Sequence, residues 1–294
     1  MWVVQSKERN ITHMAQVQTK INHYKSQFET LNQTSLVKDN KWLQNLRKTG
    51  IESFTRLGLP THRKGNENWK YTNIREIAKH EFLYSPSSED QHNRVSNISA
   101  IAPWSDQWIN LVFIDGHYSS YHSNNEDTKE DVVVSNIATE IQNRHPLVEE
   151  YLGSLAQASS DGFTALNTAF LQDGAIIHIA KGATIRRPIH LLFISTDCHK
   201  YAASYPRTLV IADEFSRSTI IESYVSHSDT IHFTNSVTEI ELKRNAYVEH
   251  YRLLEEGPNG RHVGVARINE SDGSTFQSSS FQKSTGLARY DLYV

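Results

Sequence analysis

The sequence has few of the features that mark disulfide-bonded or cluster-holding proteins. Its 294 residues include a single cysteine, Cys198, so an intramolecular disulfide is excluded. Metal clusters held by thiolates usually take about four of them, so this chain alone is not expected to hold one. Hypotheses that place redox or metal chemistry on a set of cysteines are therefore set aside.

Long apolar runs and clustered positive charge are also lacking. The longest apolar stretches cover only a few residues, as in Leu191–Ile194, whereas a membrane helix needs roughly 20. The first ten residues contain no apolar core of signal-peptide length. Lys and Arg are spread along a chain of net charge -3, which does not indicate a nucleic-acid-binding surface. No GxxxxGK[ST] loop for ATP is present. Because neither a membrane helix nor a signal peptide is indicated, we expect a cytoplasmic protein.

The first third of the sequence has the apolar spacing of helices. A first helix is indicated by residues at i, i+3/i+4 and i+7, namely Ile21, Tyr24, Phe28 and Leu31. A second helix follows, capped by Asp39 or Asn40 and weakened at Gly50. Gly58 and Pro60 end it, because glycine favours the position after a helix and proline prevents its continuation.

The middle of the chain mixes strand and helix patterns. Residues 85–97 are polar and turn-rich, which predicts a linker or loop. After Trp108 comes an apolar strand followed by Asp115-Gly116, a pair typical of a hairpin turn. Residues 136–158 return to helical spacing, with a break at Pro146.

After residue 174 the pattern becomes β throughout and weakly repetitive. Similar apolar pairs followed by small turn residues begin at positions 177, 209, 240 and 268, a period of about 30 residues. The version that starts at Leu209 is looser and has a longer turn. Stacked coils of a parallel β-helix explain such a repeat. A β-sandwich is the rival, but it prefers tight hairpins, and Asp272-Gly273 is the only Asp-Gly pair in this region.

Several blocks of the sequence resemble the SufB/SufD family of iron–sulfur cluster assembly proteins. The blocks that carry the resemblance are FTALNTAFLQDG from Phe163, HFTNSVTEIELKRNAYVEHYRLLEE from His232 and FQSSSFQKSTGLARYDLYV from Phe276. An N-terminal element adds Leu59, Pro60, Glu67, Trp69, Lys70, Tyr71 and Thr72. That element and the order of the blocks fit the SufD branch better than the SufB branch.

The resemblance implies a non-catalytic scaffold subunit of the SufBCD complex, with SufB and SufC as partners. The iron–sulfur cluster is then the product of the complex and not a cofactor bound by this chain alone. Family members continue beyond the position of Val294 with further coils and a helical domain that meet these partners. We therefore expect a C-terminally truncated chain, to which no cluster-forming residue can be transferred.

Two alternatives to the scaffold remain. One is a truncated remnant that acts at most as an interaction protein. The other is a β-helix carbohydrate-active enzyme, since such enzymes often use paired carboxylates. The fold class that we expect is mainly β, a right-handed parallel β-helix preceded by an N-terminal α-helical region.

The expected organisation has four parts. Residues 1–13 form a disordered extension, and residues 14–107 form an N-terminal helical region with a polar linker. Residues 108–175 form a mixed α/β linking section, and residues 176–294 form the coils of the β-helix.

Candidate site residues each have a structural explanation that competes with a functional one. Cys198 with His199 is a weak candidate for a sulfur acceptor or metal ligand. His227, His232 and His250 are candidates for a metal site, but the first two fall on opposite faces of an extended strand. His250 shares its face with Val248 and is expected to point into the core.

Carboxylates and aromatics are interpreted in the same way. Glu239 and Glu241 alternate with apolar residues, which predicts a solvated outer face. The other carboxylates considered are Asp213, Glu214, Glu222 and Glu249. Trp69 and Tyr71 are expected to anchor the helical region onto the body of the fold. The sequence therefore predicts no catalytic, cofactor-binding or metal-binding residue.

Overall fold

The structure is a computed structural model that describes most of the chain. The described residues are 20–33, 40–60, 67–87, 90–125, 131–227, 229–283 and 285–294. The predicted extension 1–13 and the alternative cap Asp39 lie outside them.

Six α-helices occur in the described residues. They are α1 over residues 20–33, α2 (Lys41–Leu57), α3 (Arg75–Lys79), α4 (Ile137–Gln142), α5 (Pro146–Tyr151) and α6 (Gly162–Ala169). Three short 3-10 helices cover Glu67–Trp69, Gln91–Arg94 and Ile98–Ala100. No helix in these ranges is long and apolar enough to cross a membrane.

Helix α2 begins and ends as the sequence predicts. The Asn40 side chain accepts a hydrogen bond from the backbone N–H of Leu43 at 2.9 Å, and Gly58 follows α2 with φ of 64°. Gly50, predicted to weaken α2, instead lets α2 approach α6. A Cβ at Gly50 would lie 2.4 Å from the backbone nitrogen of Ala169, so a larger residue would force the two helices apart.

Fourteen strands are present in the same described ranges, and they form two sheets. The first sheet contains β1 (Leu83–Tyr84), β4 (Val132–Asn136), β5 (Gly174–Ile179), β7 (Ala202–Ser204), β8 (Arg207–Ala212), β10 (His232–Leu242), β12 (Gly257–Glu270) and β14 (Thr285–Tyr293). The second contains β2 (Ile109–Ile114), β3 (His117–Tyr118), β6 (Ile189–Thr196), β9 (Arg217–His227), β11 (Tyr247–Glu255) and β13 (Thr275–Gln282).

From β5 onward the chain passes back and forth between the two sheets, with the consecutive strands β7 and β8 both in the first sheet. All pairings between successive coils are parallel. Ile177, Val210, Ile240 and Ile268 lie in register on neighbouring strands of the first sheet. Their side chains are buried between the sheets. The predicted mainly β fold with a stacked parallel solenoid is therefore confirmed.

The predicted repeat is wrong by one residue at its second position. Val210, not Leu209, occupies the inner column, whereas Leu209 and Ile211 face outward. Their outward face is also apolar, because it packs against α2, α4 and α5 through residues such as Leu43 and Ile141. A shift of one residue in a strand exchanges its two faces, and here both faces are buried.

The turns between the sheets repeat more regularly than predicted. Gly182, Phe215, Asn245 and Gly273 all adopt positive φ, between 58° and 74°. Phe215 donates its backbone N–H to the carbonyl of Arg244 in the next coil at 3.1 Å, and Asn245 donates to Asp272 in the same way. The turn after β8 is therefore equivalent to the others, not longer.

The linking section contains the predicted hairpin. Asp115 and Gly116 have φ of 52° and 89°, and β2 pairs antiparallel with β3 on either side of them. The predicted break at Pro146 is confirmed, since this proline is the first residue of α5. Residues 152–158 lie outside the helices.

Candidate functional site

Cys198 lies in the loop after β6 and is only partly buried. Its Sγ is 3.5 Å from the hydroxyl of Ser85. Burial and the nearby Asp115 carboxylate raise the pKa of the Cys198 thiol, which disfavours the reactive thiolate. His199 does not complete a site, because no three His, Cys, Asp or Glu residues in the described part of the chain form a metal-binding group.

The three candidate histidines lie in different surroundings. His227 is exposed at the end of β9, while His232 is buried at the start of β10. The two therefore lie on different strands in different sheets, and the prediction that they occupy opposite faces of one strand is wrong. His250 is 1% exposed and points inward beside Val248, so the prediction of an inward histidine is confirmed. Its Nδ1 is 3.1 Å from the hydroxyl of Ser278.

The prediction that Glu239 and Glu241 are solvated is wrong. Both face outward from β10, but the segment between α5 and α6 covers Glu239 completely. Glu239 accepts hydrogen bonds from the backbone N–H groups of residues 153, 155 and 156 at 2.8–3.0 Å. Its Oε1 is 2.6 Å from the guanidinium of buried Arg207.

The remaining carboxylates are dispersed. Asp213 pairs with His178 at 2.9 Å, and Glu214 contacts Lys181 at the turn edge. Glu249 lies on the partly exposed outer face of β11, whereas Glu222 points into the interior. The carboxylates thus do not line one open groove of the kind that a polysaccharide enzyme needs.

The two predicted anchoring aromatics differ from each other. Trp69 is buried against Phe163, with ring centroids 5.2 Å apart, so its anchoring role is confirmed. Tyr71 is 90% exposed, and the same prediction is wrong for it. The two rings need not share a face, because they are two residues apart on an irregular turn and not on a regular strand.

The interior of the solenoid changes from apolar to polar along the stack. In one inward column of the second sheet the residues, in coil order, are Leu111, Leu191, Glu222 and Arg252. In the neighbouring column they are Ile109, Ile189, Ile220 and His250. The first coils are therefore filled by aliphatic side chains, whereas the later coils contain charged groups. We call the latter the polar interior; its members are Glu222, Tyr224, Thr234, Ser236, Thr238, His250, Arg252, Glu256, His262 and Tyr290.

Glu222 is the first charged residue of the polar interior. One carboxylate oxygen accepts from the Thr238 hydroxyl at 2.9 Å, and the other accepts from Tyr224 at 3.2 Å. The His250 Nε2 is 3.6 Å away. Burial acts to raise the pKa of Glu222, but His250, Thr238 and the charge of Arg252 outweigh it and lower the pKa to about 2.

Arg252 fills the centre of the polar interior. Its guanidinium carbon is 5.1 Å from the ring centroid of Tyr224 and 4.2 Å from that of Tyr290. Gly264 leaves the necessary room, since a Cβ there would lie 3.1 Å from Arg252 Nη2. The buried cation is thus held between aromatic rings of two coils, an arrangement that stabilises it when it is desolvated.

His262 and Glu256 complete the cluster. The His262 Nε2 is 2.7 Å from Arg252 Nη2, and the His262 Nδ1 is 3.1 Å from Glu256 Oε2. Thr234 donates to the other oxygen of Glu256 at 2.6 Å. Burial acts to raise the pKa of Glu256, but His262, His232 and Thr234 outweigh it and lower the pKa to about 2.

This cluster consists of buried charged groups that are already paired with one another. Its two carboxylates already accept hydrogen bonds, and they are almost completely buried. Sequence reasoning considered Glu222 and His250 singly and missed Arg252, Glu256 and His262. The available signal was alternation, since Ile220, Glu222 and Tyr224 must share one face of a strand.

Comparison with known families matches the chain from residue 14 to its last residue. The family described as "SufBD protein N-terminal region" matches residues 14–191. The family described as "SUF system FeS cluster assembly, SufBD core domain" matches residues 193–294. The second match contains the polar interior.

Curated relatives give the same result at low identity. An iron–sulfur cluster assembly SufBD family protein of Synechocystis is 26% identical over 260 residues, covering 86% of this chain and 56% of the relative. The chloroplastic protein ABCI7 of Arabidopsis thaliana is 24% identical, with 86% and 52% covered. The iron–sulfur cluster assembly protein SufD of Escherichia coli is 26% identical, with 82% and 53% covered. The chain spans about half the length of these relatives.

Proposed function

This chain belongs to the SufBD family, and we propose that it takes part in iron–sulfur cluster assembly as a non-catalytic scaffold subunit of a SufBCD complex. The observation that carries the proposal is the consecutive match of both SufBD regions along one chain. The likeness to SufD of Escherichia coli supports the SufD branch in particular.

A scaffold role agrees with the construction of the fold. Parallel coils give a rigid body with long strand edges, and the N-terminal helices pack on its outer face. Extended surfaces of this kind suit the binding of other subunits. In this proposal the iron–sulfur cluster is cargo of the complex, SufB and SufC are the partners, and the complex works in the cytoplasm.

The lack of catalysis is part of the same proposal. Glu239 is sequestered by backbone donors and Arg207, and Glu222 is sequestered inside the solenoid. A general acid or base must reach its substrate within hydrogen-bonding distance. Neither carboxylate meets that requirement on the surface of this chain.

Co-purification tests the proposal directly. The chain, carrying an affinity tag, is expressed with SufB and SufC of the same organism, and retained subunits are quantified. We expect both partners to be retained at stoichiometric amounts. A Trp69→Ala variant serves as a control for folding. It weakens the N-terminal packing of this chain and leaves SufB and SufC unchanged, so the amount of SufB and SufC retained should fall.

The remnant alternative makes a different prediction for partner binding and for cluster assembly. Because the chain spans about half of its relatives, it could bind one partner and still fail to support assembly. The chain is expressed in a strain without its own SufD, and the recovered activity of an iron–sulfur enzyme is measured. This measurement separates the scaffold from the remnant. Retention of neither partner, or binding without recovered activity, would contradict the scaffold proposal.

A further inference from the structure

His262 is held in a single protonation state by its neighbours. Arginine can only donate hydrogen bonds, so the 2.7 Å contact from Arg252 requires an unprotonated Nε2 on His262. Nδ1 must then carry the proton, which it donates to Glu256 Oε2 at 3.1 Å. The neutral Nδ1–H tautomer is the one that satisfies both contacts.

The polar and charged groups around His262 come from every strand that packs on it. Ser236 of β10 is 2.9 Å from Nε2, and the Tyr224 ring of β9 lies at right angles to the imidazole with centroids 4.7 Å apart. The other ionisable groups that face this cluster are Glu222 of β9, Arg252 of β11, Glu256 before β12, His232 of β10 and Tyr290 of β14.

A second proton on His262 would conflict with this arrangement. It would place an N–H and a positive charge at Nε2 against the guanidinium of Arg252. Ser236 could turn to accept the new N–H, but the repulsion of two buried cations would remain. Burial lowers the pKa of His262 and Arg252 lowers it further, and together they outweigh Glu256 and Glu222, which act to raise it.

We propose that His262 is a pH-sensing residue that locks the last coils of the solenoid. Protonation at Nε2 displaces Arg252 from between the Tyr224 and Tyr290 rings. The Arg252–Tyr290 contact is one of the interior contacts that join β11 to β14. Its loss therefore loosens β12 and β14 before the aliphatic first coils are affected.

The sign of the effect follows from linkage. His262 resists protonation in the folded chain, while an unfolded histidine titrates near pH 6.5. Its contribution to stability is complete above pH 6.5 and is lost as the pH falls below that value. At pH 5.5 this one site should increase the equilibrium constant for opening relative to pH 7.5, by at most about tenfold, the limit set by the unfolded histidine.

Hydrogen exchange of the full chain measures this opening. Exchange of peptides from β11, β12 and β14 is compared at pH 7.5 and 5.5 after correction for the intrinsic exchange rate. Peptides from β5 and β8 provide the internal reference. We expect a larger acid-induced increase in the last coils than in the reference strands, with a difference of at most about tenfold.

Matched variants assign the response to the His262–Arg252 contact. Arg252→Leu introduces the residue that Leu191 supplies in the same column, and it leaves protonated His262 free to pair with Glu256. The acid response of β12 and β14 should disappear or change sign. Arg252→Lys keeps the positive charge and should keep the response. His262→Asn can donate to Glu256 but cannot titrate, so it should remove the response.

A measurement on the unmodified protein guards against variants that fail to fold. Nitrogen-15 spectra of histidine-labelled protein report the tautomer of each ring, and the His262→Asn spectrum assigns the signal. We expect a neutral Nδ1–H form of His262 at pH 7. An imidazolium signal at pH 7, or an acid response that persists in both Arg252→Leu and His262→Asn, would overturn the proposal.

Discussion

The guanidinium of Arg289, on the last strand β14, lies 4.0 Å from the centroid of the Trp69 ring near the start of the fold. Arg289 also donates to the Thr72 hydroxyl at 2.9 Å. The Trp69 ring also packs against Phe163 of α6. The N-terminal element that carries the family resemblance is thus in direct contact with β14.

Trp69→Ala should destabilise the protein by about 3 kcal/mol, within the range for emptying a large aromatic site. The loss has two sources, the ring contact with Phe163 and the desolvated contact with Arg289. Urea unfolding followed by circular dichroism gives the free energy. Tyr71→Ala is the matched control and should change stability by less than about 0.5 kcal/mol, because Tyr71 is 90% exposed. Equal losses in the two variants would refute the anchoring role.

Glu239→Ala should cost about 3–5 kcal/mol, the range for breaking a buried ion pair. The variant leaves Arg207 as an unpaired buried cation and removes the acceptor of three backbone N–H groups. Thermal unfolding at neutral pH tests this. Glu214→Ala, which removes a partly exposed carboxylate at the turn edge, should have little effect. A Glu239→Ala protein as stable as the parent would show that the segment between α5 and α6 does not depend on this carboxylate.

The solenoid could be predicted because its inner columns are continuous. Ile177, Ile240 and Ile268 mark equivalent coils, and small residues such as Gly182 and Gly273 mark the turns. The register at Leu209 could not be predicted. Helices cover the outer face of that strand, so alternation between apolar and polar residues, the usual guide to the inner face, is missing there.

The burial of Glu239 and the polar interior could not be predicted for a related reason. A charged residue that alternates with isoleucine normally faces solvent, and only the distant segment at residues 153–156 reverses this for Glu239. Glu222, Arg252 and His262 compensate one another across three strands. Such compensation depends on which coils are neighbours, and a single sequence does not state that.

Phe215→Asn should stabilise the protein by about 0.5–1 kcal/mol. Phe215 has φ of 63°, and a bulky residue in this left-handed region costs roughly 1–2 kcal/mol. Asparagine tolerates the region and already occupies it in the next coil, at Asn245. The gain is reduced by loss of the Arg244 contact, 6.0 Å from the ring. Melting temperatures measure the effect, and the reverse change, Asn245→Phe, should lower the melting temperature. A lower melting temperature for Phe215→Asn would mean that the exposed ring contributes more than the backbone strain costs.

Acid should unfold the protein through the two interior carboxylates. The pKa values of Glu222 and Glu256 are about 2 in the folded chain, below the ordinary value near 4.3 for glutamate. A lowered carboxylate pKa stabilises the folded state above the ordinary value, and this contribution is lost as the pH falls from about 4.5 to about 2. Glu222 accounts for about 3 kcal/mol by this linkage, whereas the contribution of Glu256 also depends on the protonation of His262. Urea unfolding at a series of pH values should therefore show a steep loss of the free energy of unfolding over that interval.

The Glu222→Gln variant tests this contribution. It should reduce the number of protons taken up on unfolding in this interval by about one. It should also lower stability at neutral pH, because His250 and Arg252 then lose their negative partner. Parallel pH profiles for Glu222→Gln and the parent chain would mean that the charge of Glu222 is not used to hold the coils together.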